Sequence, residues 1–316
     1  MLDGIIWYNP YVIKVLVAVI ALLLFLVGCS QETTVQVRLS QNLLGSDARV
    51  PVSLSSGALV VGFDRRLEPK EDVRMYGTLL AYLERQIGRQ FRLHVTPREG
   101  DIVDEIGAGK VDFAIVGTLS YLQARERWGA RALVRGLNAA GEPTYRAAII
   151  TRPDSSIRSL ADIRGRSFAF GAPNSTQGHL IPRLMLSEEG TLLSDLRTYT
   201  YARSHAETAS VVASGRYDAG GIQDTLARAL ETKGFVRIVA LSSPYPSSGI
   251  VAAPHVNDDV AEIVRRTLLD FDPMGRDAPD LYHWERSEMP LGFALARDED
   301  YLVLGEWARS LGLLAR

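Results

Sequence analysis

From residue 58 onward, short apolar runs of strand type alternate with segments of helical period, an order that few architectures accept. "ALVVGF" (58–63) reads as a strand, and "RMYGTLLAYLERQIG" (74–88) places Leu79, Leu80, Leu83 and Ile87 on one helical face before Gly88 closes it. "QFRLHVTP" (90–97), "GDIVDEIGAG" (100–109) and "KVDFAIVG" (110–117) continue as strand, helix and strand. The βαβαβ order predicts a parallel sheet covered by helices, with ligands meeting the carboxyl ends of its strands. The alternation restarts with "TYRAAIITRPDS" (144–155) and runs to "VRIVALS" (236–242), after which "SGIVAAP" (248–254), a helix over 258–271 and a mostly helical tail follow. Within that second unit the isolated "GGIQ" (220–223) reads as a turn and not as a nucleotide loop. At 316 residues and 47% hydrophobic, the chain is long enough for roughly two domains. Two α/β lobes with a cleft between them are therefore expected.

Ahead of the alternation, residues 11–28 carry one Lys and then an unbroken apolar run ending at Cys29, the only cysteine of the chain. "LVGC" (Leu26 to Cys29) resembles a bacterial lipobox, where a signal segment is cut before the cysteine and the thiol is lipidated. The alternative is an uncleaved anchor, although the run is short of the ~20 residues that a spanning helix needs. Either reading puts the residues after Ser30 outside the cytoplasmic membrane, on its periplasmic side. Residues 1–28 are thus read as a signal peptide and the polar stretch 29–57 as a flexible tether. No second cysteine is available for a disulfide, a catalytic thiol or a soft metal. The formal charge of −2 excludes a global basic field that would recruit nucleic acid. Any anion site must be local.

One segment offers such a site. "GAPNSTQGHLIP" (171–182) crowds Asn, Ser, Thr, Gln and Gly between the strand-like "SFAFG" and a helical stretch. Hydroxyls there can serve only as an N-cap, or they can join the unpaired N–H groups of a helix start in seating an anion. The segment alone leaves both readings open.

The run "YRAAIITRPDSSIRSLADIRGRSFAFGAPNSTQGHLIP" (145–182) resembles the phosphonate-binding proteins of bacterial ABC importers. "AGKVDFAIVGTLSYL" (108–122) and "HAETASVVASGRYDAG" (205–220) agree with the same family in the same order, so the resemblance covers about 58–290. It implies a two-lobed type II periplasmic-binding fold whose lobes, joined by two hinge strands, close over an oxyanion. Lobe 1 would comprise 58–145 and 247–316, and lobe 2 would comprise 146–246. Ser175 and Thr176 stand where the family's Ser-Thr pair holds phosphonate oxygens, and Gln177 replaces a third hydroxyl. His205 and Tyr145 match ligand-contacting residues, while Thr118 and Ser120 can offer hydroxyls from lobe 1.

The departures bear on the ligand. Glu99 stands where the family often has a Tyr, and the acids that clasp an aminophosphonate's amine fall near Asp224, Thr225 and Ser248, leaving Asp224 as the one candidate. Phosphate, phosphite and other phosphonates stay open. Arg65 and Arg66, just past the first strand, are within reach of the cleft, whereas His179, His255 and His283 show no metal-ligand spacing. No nucleophile motif is present, so neither an enzyme nor a cofactor is expected. The resemblance implies a monomeric, lipid-anchored binding protein that hands its oxyanion to an ABC permease. The alternative is a sensor of the same fold that presents its ligand to a histidine kinase or chemoreceptor.

Overall fold

The computed structural model describes residues 57–64, 69–97 and 100–314. The signal peptide, the lipidated Cys29 and nearly all of the tether, as well as Arg65, Arg66 and Glu99, lie outside the described residues. Among the described residues no helix is long and apolar enough to cross a membrane.

Two sheets organise the chain. The first half of one is built by β1 (Leu59–Phe63), α1 (Pro69–Ile87), β2 (Phe91–Leu93), α2 (Ile102–Gly107), β3 (Phe113–Val116), α3 (Thr118–Trp128) and β4 (Arg131–Gly136). The chain crosses through β5 (Thr144–Tyr145) into β6 (Ala147–Thr151), β7 (Ser167–Phe170), α4 (Ile181–Glu188), β8 (Thr198–Tyr201), α5 (His205–Ala213), β9 (Ala219–Gln223), α6 (Asp224–Thr232) and β10 (Arg237–Leu241). It returns through β11 (Tyr245–Pro246) to β12 (Gly249–Ala252), α7 (Asp258–Leu269), β13 (Phe293–Leu295) and α8 (Leu302–Ser310). The resulting orders are β13-β4-β12-β3-β1-β2 and β10-β6-β9-β7-β8.

Each sheet has a parallel core, β2-β1-β3 in one and β8-β7-β9 in the other, as the alternation predicts. The strands that enter straight from a crossing run the other way: β12 is antiparallel to β3 and β4, and β6 is antiparallel to β9 and β10. The crossings themselves form a two-stranded antiparallel ribbon that pairs Tyr145 with Tyr245. Two lobes therefore hang on one ribbon.

Local chemistry sets the boundaries. Helix α1 begins at Pro69, five residues before the expected start, because proline suits a first turn and Glu71 and Asp72 complement its dipole. Its buried Tyr76, Leu79, Leu80 and Leu83 face the first sheet's core. The expected turn at "GGIQ" is instead part of β9, a central strand. Glycines are needed there for packing: a Cβ on Gly220 would lie 2.8 Å from the Ala169 carbonyl oxygen, and one on Gly221 would lie 2.4 Å from Pro182.

Candidate functional site

A cavity of about 870 Å³ is lined where parallel strands end. Phe63 ends β1 and Asp64 follows it, Thr96 follows β2, Gly117 follows β3, Gly171 to Gln177 follow β7, and Arg203 to His205 follow β8. Carboxyl ends of strands from both sheets thus face one space, the place where open α/β sheets take ligands.

Helix starts converge on it for the same reason. Gly117 caps α3 and Ser204 caps α5, the latter through a hydroxyl that accepts from Glu207 N–H at 3.1 Å. Ser175 caps a π-helical turn, Thr176–Leu180, that feeds α4, and its Oγ accepts from Gly178 N–H at 3.0 Å. The next two donors, the N–H groups of Thr176 and Gln177, meet no acceptor among the described residues. Partial positive charge at these helix starts and orphan donors on the wall make the space receptive to an anion.

The π turn lies hard against the strand it follows. Gly171 N–H donates to the Gly178 carbonyl at 2.7 Å, and a Cβ on Gly178 would stand 2.8 Å from Gly171 Cα. Only a glycine pair permits that approach. It holds Ser175 and Thr176 at the end of β7.

Of the residues singled out in the sequence, Ser175, Thr176, Gln177, His205 and Tyr145 all line this cavity. Thr176 Oγ1 accepts from Leu119 N–H at 2.8 Å, a bond from one lobe to the other. Gln177 is buried and spends its amide N–H on the Arg146 carbonyl at 2.8 Å. Tyr145 donates its hydroxyl to Thr118 Oγ1 at 3.1 Å, and Thr118 in turn donates to the Pro246 carbonyl at 2.8 Å.

Thr118, Ser120 and Asp224 lie off the lining. Thr118 and Ser120 fall in the first turn of α3, not in a strand-end loop, and both are buried. The Ser120 hydroxyl has no hydrogen-bond partner among the described residues. Asp224 opens α6, where burial pushes its carboxyl up and Arg228 stands 4.0 Å away.

Four carboxylates also reach the wall: Asp64, Asp101, Glu207 and Glu288. Asp101 caps α2 by accepting from Val103 N–H at 2.9 Å, and Glu207 accepts from Arg203 N–H at 2.8 Å, which holds its carboxyl below the usual range. Glu288 accepts from the Ser248 hydroxyl. Asp64 accepts from Gly117 N–H at 2.9 Å. Neither Asp64 nor Glu288 was singled out in the sequence: the place of Asp64 directly past the first strand is a signal that points to it, whereas no pattern links Glu288 to Ser248 before the chain is folded.

A family model described as "ABC transporter, phosphonate, periplasmic substrate-binding protein" matches residues 61–301. The phosphate-import protein PhnD of Mycolicibacterium smegmatis is 28% identical over 196 residues, which are 58% of this chain and 61% of that one. The phosphonates-binding periplasmic protein of Escherichia coli is 24% identical over 224 residues, 69% of this chain and 65% of that one. The chain thus spans less than two thirds of either relative. The solved structure of PhnD1 from Prochlorococcus marinus in complex with methylphosphonate superposes with a TM-score of 0.70 at 17% identity, covering 81% of this chain and 98% of that one, a likeness of fold.

Proposed function

The chain belongs to the periplasmic substrate-binding proteins of phosphonate ABC transporters, a family of binding proteins and not of enzymes, and from that premise we propose that it captures a phosphorus oxyanion for an importer. The ligand is phosphate, phosphite or a small phosphonate, the class to which the names of its relatives point. In this reading 58–145 and 247–316 move as one body and 146–246 as the other, closing about the β5/β11 ribbon. Cys29 carries the lipid anchor, 29–57 is the tether, and an ABC permease receives the ligand from the single protomer.

The observation that carries the reading is the pair of orphan N–H groups at Thr176 and Gln177, which open a helix on a wall shared by both lobes. An oxyanion supplies the acceptors that these donors lack, and its charge is favoured by the helix start. A thermal-shift screen of residues 30–316 against phosphate, phosphite, methylphosphonate and sulfate tests it. A ligand that binds only the folded state raises the melting temperature, by linkage, and at least one phosphorus oxyanion should do so. A protein that none of the three stabilises at millimolar concentration does not have this function.

A further inference from the structure

The first donors of α3 are already engaged by side chains of both lobes. Gly117 N–H donates to Asp64 Oδ2 at 2.9 Å and Leu119 N–H to Thr176 Oγ1 at 2.8 Å. A Cβ built on Gly117 would lie 3.4 Å from Thr176 Oγ1 and 3.7 Å from Asp64 Oδ2, which puts the two accepting oxygens within about 7 Å of each other. Asp64 and Thr176 both line the cavity. A carboxylate of one lobe therefore lies within about 7 Å of the hydroxyl against which an anion would be seated, a gap that one tetrahedral oxyanion can bridge.

An oxyanion that reaches Thr176 brings an oxygen close to that carboxylate. Both oxygens are acceptors only, so they repel each other unless a proton lies between them. With the proton, the same pair makes a short charge-assisted O–H···O⁻ bond. Phosphorus acids can supply it near neutral pH, since the second ionisation of a phosphate monoester lies at about 6. Sulfonates and sulfate are fully ionised and cannot. We propose that Asp64 is a specificity determinant that admits oxyanions carrying a P–OH hydrogen and rejects fully ionised oxyanions of the same size and shape. The inference rests on the oxyanion reading of the cavity and narrows it to hydrogen-bearing anions.

Calorimetry with methylphosphonate and methanesulfonate, which are nearly isosteric, tests it on the wild type and on Asp64→Asn. The wild type should bind methylphosphonate at least about a hundredfold more tightly than methanesulfonate. Asp64→Asn keeps an acceptor for Gly117 N–H but removes the charge. It should leave methylphosphonate no tighter while narrowing the ratio at least about tenfold. Equal wild-type affinity for the two ligands overturns the inference and leaves an oxyanion site standing, and that comparison needs no variant to fold. An unchanged ratio in Asp64→Asn, or an equal gain for both ligands, also overturns it, the latter because the carboxylate would then be merely repulsive. A wild type that binds neither ligand nor inorganic phosphate refutes the oxyanion site itself, and the inference with it.

Discussion

Replacing Thr176 by Val removes one oxygen and little else. In the structure that oxygen accepts the N–H of Leu119, from the opposite lobe, at 2.8 Å, and both residues are buried, at 3% and 0% exposure. Valine fills nearly the same volume, so the change is chemical and not steric. With the lobes together, Leu119 N–H would have no acceptor, at a cost of about 1–3 kcal/mol. With the lobes apart, water satisfies the same N–H and the cost vanishes. The penalty therefore falls on closure, and affinity for a ligand held in the closed form should drop by roughly five- to more than a hundredfold. Any direct contact between the hydroxyl and the ligand adds to the loss. Thr176→Ser, which keeps the oxygen, should stay near wild type. Calorimetry with methylphosphonate measures the affinities, and small-angle scattering reports whether saturating ligand still compacts the protein. A Val variant within about twofold of wild type, or a Ser variant as impaired as the Val one, would refute the reasoning.

Ser175→Ala removes the cap on Gly178 N–H and should lower unfolding stability by about 0.5–2 kcal/mol in urea titrations while weakening methylphosphonate binding more than the fold. Gly178→Ala drives a Cβ to within 2.8 Å of Gly171 Cα, so a loss of about 1–3 kcal/mol is expected, and an unchanged melting temperature would mean that the π turn is not held there. His179 is buried, its Nδ1 donates to the Pro173 carbonyl at 2.6 Å, and burial pushes its pKa down to about 4. The folded state thus binds this proton less readily than the unfolded one, and the contribution is complete above pH 6.5 and lost as pH falls through about 4. Up to about 3 kcal/mol is at stake, and His179→Gln should flatten the stability curve between pH 7 and pH 4. Cys29→Ser should abolish metabolic labelling of the expressed full-length chain with palmitate, and a variant that is still labelled has its lipid elsewhere.

The two α/β lobes were legible because strand and helix periods differ and because most helices carry one apolar face. The first turn of α3 was not. "TLSYLQ" follows β3 with no side-chain cap, Gly117 serving by its backbone alone, so Thr118 and Ser120 read as loop hydroxyls when they are in fact buried helical positions. The β9 glycines misled for a related reason: a glycine chosen for close packing looks, in one dimension, like a glycine chosen for a turn. Residues at the helix starts that come a few positions past a strand, such as Ser175, Thr176 and His205, meet at the cavity because strand ends do. Asp224 also follows a strand, β9, but it is drawn toward Arg228 within its own helix. Glu288 reaches Ser248 across 40 residues of tail, a juxtaposition that only the folded chain defines.

The hinge and the cavity share atoms. Gln177 lines the cavity and holds the carbonyl of Arg146, the residue between β5 and β6. Tyr145 also lines the cavity; it is paired with Tyr245 across the ribbon and linked through Thr118 to Pro246 on the returning strand. Each crossing is therefore tied by a side-chain hydrogen bond to a residue that faces the cavity or contacts one that does. A rotation of the lobes about this ribbon must stretch or rebuild those bonds, since a hydrogen bond weakens steeply once its geometry is lost. An occupant that fixes Thr176, Gln177 and Tyr145 consequently biases the ribbon as well, and the free energy available to shift it is limited to the difference in contacts between the closed and open arrangements.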